Sequence, residues 1–231
     1  MAQQTEDFRL LEAEQRIYLS DQDPLVIRLD GKDVTKDKVH YDLTEPEGFT
    51  KAILLAAKAA ALVFVPPMAA EMRHGIGIVR NRGVLLFAMM DEVSIIFRTP
   101  CFFFRNFDDT NQIYDTGIFL QEFLSALHRD GRFPDTRFGI SGFNIPAQKC
   151  RDYICWRRGL CKEAAVMYAA KRSSLPKEIY AGKSSGEILK ALSAEQILLP
   201  SHPEYLSGWQ EELLPAKGSS SDGSLSFEFL F

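Results

Sequence analysis

Two β-rich runs, residues 83–90 and 93–97, are separated only by Asp91-Glu92. A parallel crossover needs about a dozen residues or more, so this link forces an antiparallel pair closed by a tight turn or a bulge. The chain must therefore seat a hairpin with an acidic tip in a sheet.

The segments on either side say which sheet. Residues 24–31 alternate Leu25, Ile27 and Leu29 against Val26 and Arg28 and stop at Asp30-Gly31, a turn signal, which predicts a first strand. Residues 49–64 are rich in Ala and Leu and halt before Pro66-Pro67, so a buried helix is expected between this strand and the hairpin. After the hairpin, Ile113, Gly117, Leu120, Phe123, Leu124 and Leu127 keep a helical period over residues 111–128. A loop marked by Asp130-Gly131 and Pro134 leads to a fourth strand at 137–145 and a long helix at 148–172. The order is β-α-β-β-α-β. It predicts an α+β protein with a split, ferredoxin-like antiparallel sheet backed by helices, the arrangement of polymerase and cyclase palms.

The expected division is a palm over residues 1–145, a helical C-terminal extension packed on it over 146–217, and a flexible Ser/Gly-containing tail over 218–231. Residues 1–20 read as a polar lead with a short helical pattern marked by Phe8, Leu11 and Ile17. In the extension, Ser184 and Glu187 have the spacing of a capping box that starts a short helix.

Composition excludes several classes. With 46% hydrophobic residues in 231, the chain can bury a continuous core. Its most apolar stretch, 52–67, is interrupted by Lys58 and ends in two prolines, so no membrane span is expected. Residues 1–9 are polar and acidic with no apolar signal region, which places the protein in the cytoplasm as an expectation. Cys101, Cys150, Cys155 and Cys161 fit neither a zinc spacing nor a disulfide framework and read as reduced thiols. The net charge of −4 is uneven. Residues 147–190 hold ten Lys or Arg and four Asp or Glu, so +6 there leaves −10 elsewhere, which permits an anionic partner on one face.

Phosphoryl transfer on two divalent ions needs few carboxylates, provided that they converge. Asp30 ends the first strand and Asp91 lies between the next two, which are its neighbours in a βαββαβ sheet. Both side chains are expected at one sheet end, with Gly31 letting backbone approach a metal or a phosphate. Taken without any relative, Asp-Gly after a strand is also plain turn chemistry, and Asp-Glu between strands is also a plain hairpin tip.

Four motifs in order carry a resemblance. These are Arg28-Leu29-Asp30-Gly31-Lys32; Met90-Asp91-Glu92-Val93-Ser94; Asp152-Tyr153 with Trp156-Arg157-Arg158; and Met167-Tyr168-Ala169-Ala170 followed by Lys177 and Gly182-Lys183-Ser184-Ser185-Gly186-Glu187-Ile188. Together, over about residues 16–210, they resemble the tRNA-His guanylyltransferase (Thg1-like) family in its bacterial type. The resemblance implies a nucleotidyltransferase that uses two Mg2+ ions and GTP or ATP to add nucleotides, in the 3′-5′ direction, to the 5′ end of tRNA or another RNA. It implies Asp30, Asp91 and the Gly31 carbonyl as metal ligands, and Glu92 as the supporting carboxylate of the catalytic set. Asp30, Gly31, Lys32, Asp33, Val34, Thr35, Met90 and Asp91 are the implied nucleotide contacts, and Arg105, Arg157 and Arg158 are the candidates for phosphate or RNA. The apolar run at residues 101–104 suggests a homo-oligomer, a dimer or a tetramer.

The sequence also departs from the family pattern. Met90 stands where the family has serine, Phe138-Gly139-Ile140-Ser141 where it has F-D-x-R, and Ala164 where it has asparagine. A relative that binds nucleotide or RNA without efficient turnover is the alternative reading.

Overall fold

The computed structural model describes residues 8–12, 23–32, 34, 48–64, 84–97, 116–129, 131–173, 175–195, 204–208 and 225–228. After a helical turn at residues 8–12 come β1 (Leu25–Lys32), α1 (Phe49–Phe64), β2 (Val84–Met89), β3 (Glu92–Phe97), α2 (Thr116–Leu127), β4 (Arg137–Asn144) and α3 (Cys150–Arg172). The βαββαβ order expected from the sequence is present, and β4, β1, β3 and β2 lie side by side, every pair antiparallel. The protein is α+β.

Cross-strand register explains how both faces of this sheet are buried. Leu25, Ile27 and Leu29 of β1 stand opposite Phe97, Ile95 and Val93 of β3 and form one face with Phe138 of β4. That face meets α1 and α2 through aromatic contacts. Phe49 stacks on Phe138 at 6.2 Å, Phe123 meets Phe138 edge-on at 4.8 Å, and Phe97 meets Phe119 at 6.2 Å. Such pairs add about 0.5–1.5 kcal/mol each beyond burial.

The opposite face carries Val26, Arg28 and Asp30 of β1, Glu92 and Ser94 of β3 and Phe143 of β4. It is covered by the N-terminal half of α3 and the turn at 8–12. Tyr153, fully buried, meets Phe143 at 5.7 Å and Phe8 at 5.6 Å, and Phe8 lies 5.4 Å from Trp156. So α3 belongs to the main core through Tyr153, Ile154, Cys161 and Ala165. Its C-terminal half starts a second core in which Val166, Ala169 and Ala170 pack with Leu175, Ile188 and Leu192. The last two lie on α5 (Ser185–Ala194), which follows the single turn α4 (Lys177–Tyr180). Ser184 caps α5, with the reciprocal Glu187 bond that the sequence predicts.

Two strands lie in stretches that the sequence reads otherwise. β5 (Glu204–Gly208), inside the expected helical extension, pairs antiparallel with β2, and β6 (Leu225–Glu228), inside the expected flexible tail, pairs parallel with β5. The reason is the open side of β2, a row of unpaired backbone groups that favours strand addition whatever the added segment's pattern. No helix among the described residues is long and apolar enough to cross a membrane. Cys150, Cys155 and Cys161 are reduced cysteines, outside any disulfide.

Candidate functional site

The site lies where β1 ends and β3 begins, in the middle of the sheet. The turn between β2 and β3 is Met90-Asp91, one residue earlier than the acidic pair suggests, so Glu92 already belongs to β3. This shift separates the two acids, because Glu92 takes part in the ladder opposite Asp30 and faces α3, while Asp91 stays on the turn. Gly31 brings β1 against that turn. Its N–H donates to the Asp91 carbonyl at 2.9 Å, and a Cβ at position 31 would lie 2.8 Å from Val34 Cγ2, 3.0 Å from Asp91 Cβ and 3.1 Å from Asp91 O. Only glycine fits this approach.

Asp30 and Asp91 therefore share one sheet end. Burial, and after it the charge of Asp30, pushes the Asp91 carboxyl up to about 7. The Asp30 side chain is half exposed. Hard carboxylate oxygens beside a backbone cradle that a Cβ would fill suit Mg2+, which takes one or two protein carboxylates and leaves its other positions to water and substrate phosphates. Among the described residues no three His, Cys, Asp or Glu side chains form a metal cluster, so the donor set here is this pair and nearby backbone.

Behind the pair lies a charge network that the sequence does not announce. Arg28 Nη2 reaches Glu92 at 3.0 Å and Asp30 at 3.2 Å, which offsets the repulsion of two acids placed directly across a strand pair. Arg157 comes down from α3 onto the same carboxylate. Its Nε donates to Glu92 Oε1 at 2.7 Å, a second short bond joins its Nη2 to Glu92 Oε2, and its Nη1 reaches Glu12 Oε2 at 3.3 Å. Tyr153 donates to Glu12 at 3.0 Å. Burial, the largest single influence, would lower both guanidiniums, but Glu92, joined at Arg28 by Asp30 and Glu12, holds Arg28 and Arg157 above their ordinary values. Burial also raises Glu12, with Arg157 and Arg28 opposing.

The structure places the expected site residues as follows. Arg157 is 5% exposed and engaged with Glu92 and Glu12, because it points into the sheet rather than along the basic surface of α3. Glu92, 6% exposed, is held by two arginines as part of this internal network, and its charge still reaches Asp91. The side chains of Val34 and Met90 are each 2% exposed. Lys32 is exposed and passes Gly139, where a Cβ would meet its Cε at 3.4 Å. Arg158 is half-buried on α3. Asp33, Thr35, Arg105 and the run at 101–104 lie outside the described residues. Sequence reasoning missed Glu12 and the pairing of Arg28. Arg28 alternates to the polar face of β1 and could have been found by that signal, whereas nothing local marks Glu12.

Solved structures share this fold. A bacterial tRNA(His) guanylyltransferase-like protein in complex with ATP superposes with a TM-score of 0.51 at 16% identity, covering 84% of this chain and 80% of its own. The tRNA(His) guanylyltransferase from Saccharomyces cerevisiae gives a TM-score of 0.52 at 19% identity, covering 78% and 80%. At these identities the likeness is one of fold, and it agrees with the motif resemblance. No family model and no curated protein matches the chain.

Proposed function

We propose that this chain is a nucleotidyltransferase of the tRNA-His guanylyltransferase-like group. It acts on the 5′ end of tRNA or a related RNA, with GTP or ATP activating a 5′-monophosphate and an incoming nucleoside triphosphate extending it. The observation that carries the reading is the meeting of Asp30 and Asp91 across Gly31 at the centre of the sheet. Asp30 and Asp91 are the residues to hold Mg2+, with the Gly31 carbonyl as the further ligand that the resemblance implies. Mg2+ in such a site supplies acidification of an attacking hydroxyl and neutralisation of triphosphate charge. Arg28 pairs with both Asp30 and Glu92 and so ties the site to the internal network. Lys32, and Arg158 and Arg105 with it, are the proposed phosphate or RNA contacts, in place of the buried Arg157. The fold neighbour bound to ATP supports the nucleotide part of this reading, and the basic excess over residues 147–190 supports the RNA part.

The test is incubation of the protein with 5′-labelled tRNA, Mg2+ and each nucleoside triphosphate. The expected result is a 5′-activated or extended product. No product with any combination, beside an active guanylyltransferase as control, would overturn the activity. A second reading, nucleotide or RNA binding without turnover, is favoured by Met90, whose side chain is buried where the family pattern has a serine. It predicts saturable ATP or GTP binding that Asp91→Ala leaves unchanged, and turnover lost in Asp91→Ala would end it.

A further inference from the structure

Asp91 stands on a turn that the chain holds against its own preference. Met90 has φ 56°, and it is the one non-glycine residue with positive φ among the described residues. A side chain there brings Cβ against the following carbonyl, so the conformation persists only where the surroundings over-determine it. Three contacts do so here. The Met90 side chain is sunk in the core. The Gly31 N–H donates to the Asp91 carbonyl at 2.9 Å, which fixes the peptide plane after Asp91. The third is Thr50, the second residue of α1, which is fully buried and whose Oγ1 donates to the Met90 carbonyl at 2.8 Å. That carbonyl lies in the peptide plane before Asp91. Both planes flanking Asp91 are thus held from outside the hairpin, one by β1 and one by the first turn of α1.

We infer that Thr50 is a positioning residue for the Asp30/Asp91 site, fixing through the Met90 carbonyl the direction in which the Asp91 carboxylate leaves the turn. A hydroxyl in the first turn of a helix has ordinary local uses on its own backbone, but this one spans 40 positions to the turn that carries an acid of the site. The inference rests on the metal-binding reading above. It adds to it that the β2–β3 turn does not hold Asp91 in place unaided.

The test measures affinity for Mn2+ by electron paramagnetic resonance of the free ion, on folded protein and independently of turnover. Thr50→Val keeps the shape and removes the donor, so it should weaken Mn2+ binding about tenfold, the loss typical of a partner that orients a metal ligand. Thr50→Ser keeps the donor and should restore parental affinity. Should Thr50→Val fail to fold, Thr50→Ala takes its place with the same loss expected. A variant that melts earlier yet binds Mn2+ like the parent would overturn the inference, leaving Thr50 a structural staple only. A parent that binds no Mn2+ would overturn the metal reading itself, and it would do so before any variant is made.

Discussion

Asp91 and Glu92 are neighbours in the chain with opposite surroundings. Glu92 is the more deeply buried, yet it faces Arg28 and Arg157 and its charge is matched within the fold. Asp91 keeps some exposure, but the strongest charge acting on it is another acid, Asp30, and its carboxyl is pushed up to about 7. Burial does not distinguish the two groups. Compensation does: two arginines pair directly with Glu92, whereas at Asp91 the acid Asp30 acts more strongly than the cation Arg28. The β2–β3 turn creates this division, since one residue on the turn and the next in the strand send their side chains to different places.

The largest effect expected from breaking this contrast is on its compensated side. Arg157→Ala leaves Glu92 with Arg28 alone and removes a partner of Glu12, which should cost about 3–5 kcal/mol, as for other broken buried pairs. Urea denaturation measures it. A loss below about 1 kcal/mol, the range of surface ion pairs, would mean that the network is not a structural unit. Replacing the pair together, as Glu92→Leu with Arg157→Met, should cost less than the single change, because no buried charge is left stranded between them.

The uncompensated side has a pH signature. The Asp91 carboxyl lies above its ordinary value in the folded state, so between about pH 4 and pH 7 the native protein holds a proton that the unfolded chain has released. Its contribution to metal-free stability is present below that window and lost as pH rises through it, with a slope of up to about 1.4 kcal/mol per pH unit. Denaturation at a series of pH values should show the fall in the parent and a flatter profile in Asp91→Asn. Identical profiles would mean that Asp91 is solvated like any turn acid.

Much of the scaffold was legible in the sequence, and the reason is periodicity. The two-residue link at Asp91-Glu92 fixed an antiparallel pair, and the apolar runs placed α1 and the strands to within a residue or two. The site was legible only in outline. Asp30 and Asp91 could be brought together from strand order alone, but the partner of Glu92 could not, because Arg157 is 65 positions away and sits in a run of basic residues that reads as a surface. Only the fold shows which of Arg157 and Arg158 turns inward. Thr50 was silent for the same reason, since its contact is made through backbone of a distant turn. The strands β5 and β6 were missed because their pairing depends on the open edge of β2, not on a strong pattern of their own.

The central claim is that Asp30 and Asp91 together form a divalent-metal and triphosphate site, and a thermal-shift series on the parent, Asp30→Asn, Asp91→Asn and the double variant tests it directly. Without metal at neutral pH, Asp91→Asn should be more stable than the parent, since it removes a charge that burial and Asp30 both disfavour, whereas Asp30→Asn relieves the repulsion but gives up the half-exposed pair with Arg28 and should stay within about 1 kcal/mol of the parent. Added Mn2+ with GTP should raise the melting temperature of the parent, because a ligand that binds only the native state stabilises it. The same addition should leave each single variant nearly unshifted and the double variant no worse, as for residues acting as one unit. Equal metal-induced shifts in parent and variants would contradict the account and leave Asp30-Gly31 and Asp91 as turn residues alone.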